Sequence, residues 1–172
     1  MNAIADTIDA LIVMGVAGSG KTTIAEALAK RIEWPFRDGD SFHPASNVEK
    51  MRNGHPLTDE DRWPWLRAIA AEIDRTSAAG EHIIITCSAL KRAYRDVLIG
   101  KRRNVRLIYL KGSRELIGER LRARRGHFMP PQLLDSQFAT LQEPGDDENA
   151  IVVDVAPSVD AIVDSIVRQL NT

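Results

Sequence analysis

The stretch ALIVMGVAGSGKTTIAEALAKRI, residues 10–32, joins three patterns that seldom meet by accident. Residues 10–14 form a short continuous apolar run, the signature of a buried strand. TIAEALAKRI, residues 23–32, carries apolar side chains at helical spacing, so a helix is expected over 21–32. Between them Gly15, Gly20, Lys21 and Thr22 satisfy G-x-x-x-x-G-K-[ST], the phosphate-loop spacing. Each position has a physical task. Glycines let the backbone turn sharply and bring N–H groups close to an anion. The helix that follows points its positive end at the same place. Lys21 supplies a mobile positive charge for the β- and γ-phosphates, and the Thr22 hydroxyl suits Mg²⁺. A tight turn that merely contains a lysine is the competing reading. The strand before and the helix after supply the context that a nucleotide site requires.

The chain has 172 residues, 44% of them hydrophobic, which is one domain's worth with a sizeable core, spanning residues 1–172. A formal net charge of −1 gives no general case for nucleic acid or membrane partners. The single Cys87 excludes an internal disulfide. The first ten residues resemble neither a signal nor a transit peptide, and no apolar run approaches a membrane span. A cytoplasmic protein is expected.

Short apolar runs then alternate with helical patterns. Strands are expected at 10–14, 35–37, 82–86, 105–110 and 150–153, and helices at 21–32, 45–52, 63–76, 89–99, 114–123, 131–141 and 159–170. Such alternation predicts an α/β fold, a five-stranded parallel sheet flanked by helices. RRGHFMPP, residues 124–131, lacks periodicity and mixes Gly, Pro and charge, which marks a candidate mobile lid within about 120–135.

A parallel sheet binds ligands beyond the carboxyl ends of its strands. The second run ends in DGD, where Asp38 and Asp40 share one face of an extended segment. One carboxylate there can hold Mg²⁺ and the other accept a hydroxyl proton, although D-G is also a common turn pair. The third run ends without an acid, which leaves Asp38 as the metal candidate and argues against a switch or motor NTPase. His43, next to DGD, is a candidate polyol contact or a structural histidine. Ser88 and Lys91 lie where a substrate would sit. In RLRARRGH, residues 120–127, Arg120 and Arg124 share a helix face and suit a triphosphate. Arg52 and Arg62 flank NGHPLTDED and are candidates for holding an acceptor's carboxylate, and Trp63 and Trp65 read as a packed helix start with Pro64 in its first turn.

Taken together, GVAGSGKTT, DGDSFHPASNVEKMRNGHPLTDEDRWPWL, CSALKRAYRD, YLKG, RARRGHFMP and QFATLQEPG resemble the gluconate kinases, over about residues 10–170. The resemblance implies the P-loop kinase fold with a lid, and phosphorylation of D-gluconate at its 6-hydroxyl by ATP with Mg²⁺, in a homodimer. It implies ATP contacts from Gly15, Val16, Ala17, Gly18, Ser19, Gly20, Lys21 and Thr22. Asp40 becomes the base by similarity to shikimate kinases, and Arg120 and Arg124 match the lid arginines of adenylate kinases. Lys21 and Arg124 would join Asp40 in catalysis. VAPS, residues 155–158, resembles the adenine-side loop, which brings in Pro157, and His127 joins the substrate contacts. Rival acceptors are shikimate and a nucleoside monophosphate. A nucleotide switch lacks its N-K-x-D motif here, and a polynucleotide kinase finds no interleaved aromatics.

Overall fold

The computed structural model describes residues 7–123 and 131–172. Five parallel strands run β1 (Ala10–Met14), β2 (Phe36–Asp38), β3 (Ile83–Thr86), β4 (Val105–Lys111) and β5 (Ile151–Asp154), in the sheet order β2-β3-β1-β4-β5. Seven α-helices lie among the described residues: α1 (Lys21–Ile32), α2 (Ala45–Arg52), α3 (Asp59–Ala78), α4 (Arg92–Leu98), α5 (Arg114–Ala123), α6 (Pro131–Thr140) and α7 (Val159–Leu170). No described helix is long and apolar enough to cross a membrane.

β1 is central because it is apolar on both faces. Every one of its five residues is fully buried, and it pairs with β3 (Ala10 beside Ile83) and with β4 (Ala10 beside Val105). Side chains alternate across a strand, and the core divides accordingly. Leu11 and Val13 pack with Ile24 and Leu28 of α1 and Ile162 and Ile166 of α7. Ala10, Ile12 and Met14 pack on the other face with Leu66, Ile69 and Ile73 of α3 and Leu98 of α4. β5 is an edge strand, with Ile151 and Val153 turned to the core and Val152 to solvent.

α3 begins earlier than its apolar pattern predicts, at Asp59 rather than at 63. Thr58 is its N-cap. The Asp61 amide donates to Thr58 Oγ1 at 3.2 Å, and Asp61 Oδ2 accepts from the Thr58 amide at 2.9 Å. Asp59, Glu60 and Asp61 fill the first turn, where negative charge opposes the helix dipole. Pro64 therefore lies inside the helix rather than in its first turn, and its missing N–H removes one bond from the ladder. α4 starts at Arg92, three residues after the expected position, because Ala89 takes a left-handed conformation (φ 46°) that interrupts any helix there.

Candidate active site

The site forms where β1, β2 and β3 end together. Ala17, Gly18, Gly20, Lys21, Thr22 and Thr23 line one side of a cleft of about 290 Å³. Asp38, Asp40, Thr86, Cys87, Ser88 and Gln137 line the rest. On the loop side, Gly20 adopts φ 95°, a conformation L side chains resist, and thereby turns the chain directly into α1. α1 has no side-chain cap and no acid in its first turn, so its first N–H groups and positive dipole end are presented to the cleft. Lys21 folds back over the loop, its Nζ donating to Gly15 O at 2.9 Å and Val16 O at 3.1 Å.

The opposite wall is the DGD turn. A 3-10 helix (Gly39–Phe42) follows β2 directly. Asp38 Oδ1 accepts from the Asp40 amide at 2.9 Å and from Thr86 Oγ1 at 3.4 Å, which fixes the first carboxylate against β3. Gly39 is required by contact rather than by conformation: a Cβ there would lie 1.9 Å from the Thr86 carbonyl oxygen. Its own carbonyl accepts from Trp65 Nε1 at 2.8 Å, so α3 pins the turn from behind. Asp40 faces out into the cleft with 83% of its side chain exposed. Water reaches this carboxylate, yet it stands in a concavity, and both the protein around it and the neighbouring Asp38 raise its pKa. His43 and Lys21 oppose that shift.

His43 stacks on Trp65 with ring centroids 4.1 Å apart, and its Nε2 lies 4.0 Å from Asp40 Oδ1. Burial and Arg62 favour its neutral form and lower its pKa, although Asp40 acts the other way. Beside it, Arg62 and Lys91 converge on one aromatic ring and one acid. Arg62 Nη1 donates to Tyr94 Oη at 3.1 Å, Tyr94 Oη donates to Asp59 Oδ1 at 2.6 Å, and Lys91 Nζ reaches both Asp59 oxygens at 3.3 Å. Two cations share one carboxylate in this cluster. The Tyr94 and Lys91 hydrogen bonds hold the Asp59 carboxyl below its ordinary range, so it stays ionised.

The structure thus brings Lys21, Thr22, Asp38, Asp40 and Ser88 onto one cleft, with His43 behind Asp40. Arg120 Nη2 lies 3.5 Å from the Ala156 carbonyl, next to the exposed Pro157. Arg52 ends α2 in solvent and does not line the cleft. Arg124 and His127 lie outside the described residues. Cys87 lines the cleft but is a poor nucleophile, because burial pushes its thiol pKa up to about 12.

Two further residues escape a reading of the sequence. Gln137 of α6 sends Oε1 into the phosphate loop, where it accepts from the Ala17 amide at 2.6 Å. Asn47, buried on α2, contacts His43 and α3. The spacing of four between His43 and Asn47 across a helix start was the available signal for Asn47. For Gln137 there was none, since its partner lies 120 residues away.

The groups present fit Mg²⁺. It takes one or two hard oxygen ligands from protein and the rest from phosphates and water. The Thr22 hydroxyl and the Asp38 carboxylate offer that set on one cleft. No described group of three or more His, Cys, Asp or Glu makes an all-protein metal cage.

A family model described as an AAA domain matches residues 11–144. A gluconokinase of Gluconobacter oxydans is 46% identical over 161 residues, covering 94% of this chain and 90% of that protein. The thermoresistant gluconokinase of Escherichia coli is 46% identical over 164 residues, covering 93% and 92%. Among solved structures, a gluconokinase from Sinorhizobium meliloti superposes with a TM-score of 0.85 at 42% identity, covering 94% of this chain and 91% of its own.

Proposed function

We infer the reaction from kinship: the chain belongs to the gluconokinase family. It is a P-loop kinase that phosphorylates D-gluconate with ATP, giving 6-phospho-D-gluconate and ADP. The observation that carries this reading at the site is Asp40. It is a water-accessible carboxylate across one cleft from a phosphate loop, where a bound hydroxyl and a γ-phosphate would meet.

The residue roles follow from chemistry. The acceptor oxygen forms a bond to the γ-phosphorus as the bond to the β-phosphate's bridging oxygen breaks. Asp40 orients the hydroxyl and takes its proton. The loop from Gly15 to Thr22 wraps the phosphates with backbone N–H groups, and Lys21 neutralises charge that builds on the transferring group. Arg120 and Arg124 complete that stabilisation from the lid side, and Pro157 borders the adenine. Thr22 and Asp38 would hold Mg²⁺, which when bound neutralises phosphate charge. Arg62 and Lys91 form the subsite for the gluconate carboxylate, since they share only one acid between them. Ser88 and His127 supply polyol contacts. A cytoplasmic homodimer completes the proposal and rests on family membership alone.

The test is ADP release from ATP and Mg²⁺ with D-gluconate, other sugar acids, shikimate, AMP and no acceptor. Release with gluconate alone is expected. Release with another acceptor only would keep the phosphate chemistry and remove the substrate.

A further inference from the structure

His43, a candidate polyol contact or a structural histidine, has only 4% of its side chain exposed. Its ring lies flat on Trp65, with 16° between the planes, and Trp65 is itself bound to Gly39. The plane of the ring is therefore fixed. Its Nδ1 lies 3.2 Å from Nδ2 of Asn47. That same Nδ2 donates to the backbone carbonyl of Asp61 at 2.7 Å. A carbonyl only accepts, so the Asn47 atom facing it is the NH₂ and not the amide oxygen. The second Nδ2 proton then points at His43, and Nδ1 must be the acceptor. A neutral imidazole that accepts at Nδ1 carries its proton on Nε2. Nε2 is the nitrogen that faces Asp40, 4.0 Å from Oδ1.

We propose that Asn47 and His43 are positioning residues for the base: Asn47 fixes His43 as the Nε2–H tautomer, and that N–H holds the Asp40 carboxylate aimed at the acceptor hydroxyl. The proposal rests on the assignment of Asp40 as the base. The gap of 4.0 Å exceeds a hydrogen bond, but the exposed Asp40 side chain has room to rotate across it. The groups facing the ring are Asp40 from its own turn, Asn47 from α2, and Arg62 and Trp65 from α3. His43 does not relay the proton. Nε2 already carries one, and Nδ1 faces a donor. The hydroxyl proton stops on Asp40 and leaves to solvent.

The experiment combines ring nitrogen NMR with steady-state kinetics on the full-length protein. In long-range ¹H–¹⁵N spectra, His43 is assigned among the four histidines by its loss in H43F. A neutral Nε2–H tautomer is expected at pH 7, and a tautomer mixture in N47L. kcat should fall about tenfold in N47L and H43F, with the KM for ATP unchanged. H43Q, whose amide presents an N–H near the Nε2 position, should recover part of the loss. An Nδ1–H tautomer in the parent overturns the proposal, as does an undiminished kcat in variants whose melting curves show them folded. If N47L fails to fold, the parent spectrum and H43F decide. Undiminished turnover in D40N would instead remove the base assignment, whatever tautomer His43 adopts.

Discussion

Asp40 illustrates how a single residue is held against its own stability. Burial of its surroundings and the charge on Asp38 raise its folded-state pKa above the ordinary carboxylate value. A carboxyl whose pKa is raised by folding stabilises the fold in its protonated form, below the unfolded pKa, and loses that contribution as pH climbs through the folded value. At pH 7 the ionised group is therefore a burden. D40N should lose about 10²–10⁴-fold in kcat yet melt no lower than the parent at pH 7, with the difference in melting temperature shrinking below pH 4. A variant that melts several degrees lower would mean Asp40 is structural. Gln137 is the second case. Its Oε1 occupies the Ala17 amide that a phosphate oxygen would otherwise meet. If ATP binds through that amide as proposed, Q137A should bind ATP more tightly, by about two- to tenfold for one neutral hydrogen bond. Calorimetric titration with a non-hydrolysable ATP analogue reads this directly, and weaker binding would show that Gln137 instead contacts the nucleotide.

Among the elements, α3 and the segment 87–91 carry Arg62 and Lys91, the proposed acceptor contacts. The α3 cap depends on Asp61, whose pKa falls to about 2 through hydrogen bonds from the Thr58 backbone first and then Lys50. A lowered pKa means stability that is present above the unfolded value of 3.8 and is lost as pH falls toward 2. D61N should therefore show a lower urea midpoint than the parent from pH 5 to 7, and the gap should close below pH 4. Segment 87–91 is tied down by Arg95, which donates to the carbonyls of Ala89 and Leu90 and to both Glu148 oxygens. Only 2% of the Arg95 side chain is exposed. R95M leaves Glu148 buried without its partner, and should cost about 3–5 kcal/mol of unfolding free energy in urea titrations. These elements also show what a sequence can and cannot disclose. β1, the phosphate loop and α1 were legible because their signals are local: an apolar run, fixed glycines and a helical period. The start of α3 departs from its apolar pattern because the reciprocal Thr58–Asp61 cap, rather than the aromatic and proline spacing, sets where the helix begins. The Arg62–Tyr94–Asp59–Lys91 cluster and the Asn47 bridge were not legible, since each joins residues that only tertiary packing brings together.

For the whole molecule, one buried sheet fixes two half-sites relative to each other. The nucleotide half hangs on the end of β1, and the acceptor half on the ends of β2 and β3. Ligands bound there stabilise the native state by mass action, about 2.7 kcal/mol at a concentration one hundred times Kd. For a domain of 172 residues that amounts to a rise of about 5–10 °C in melting temperature. The two halves predict different patterns in variants. K21A removes the loop cation, so the shift produced by ATP should largely vanish while gluconate retains its own. D40N leaves the loop intact and removes a negative charge facing the triphosphate, so its ATP shift should equal or exceed that of the parent although turnover is lost. Thermal melts of the parent and both variants, with each ligand alone and with ADP plus gluconate together, separate the halves without relying on catalysis. Loss of the ATP shift in D40N would show that the carboxylate serves nucleotide binding, and the division of labour across the sheet would have to be redrawn.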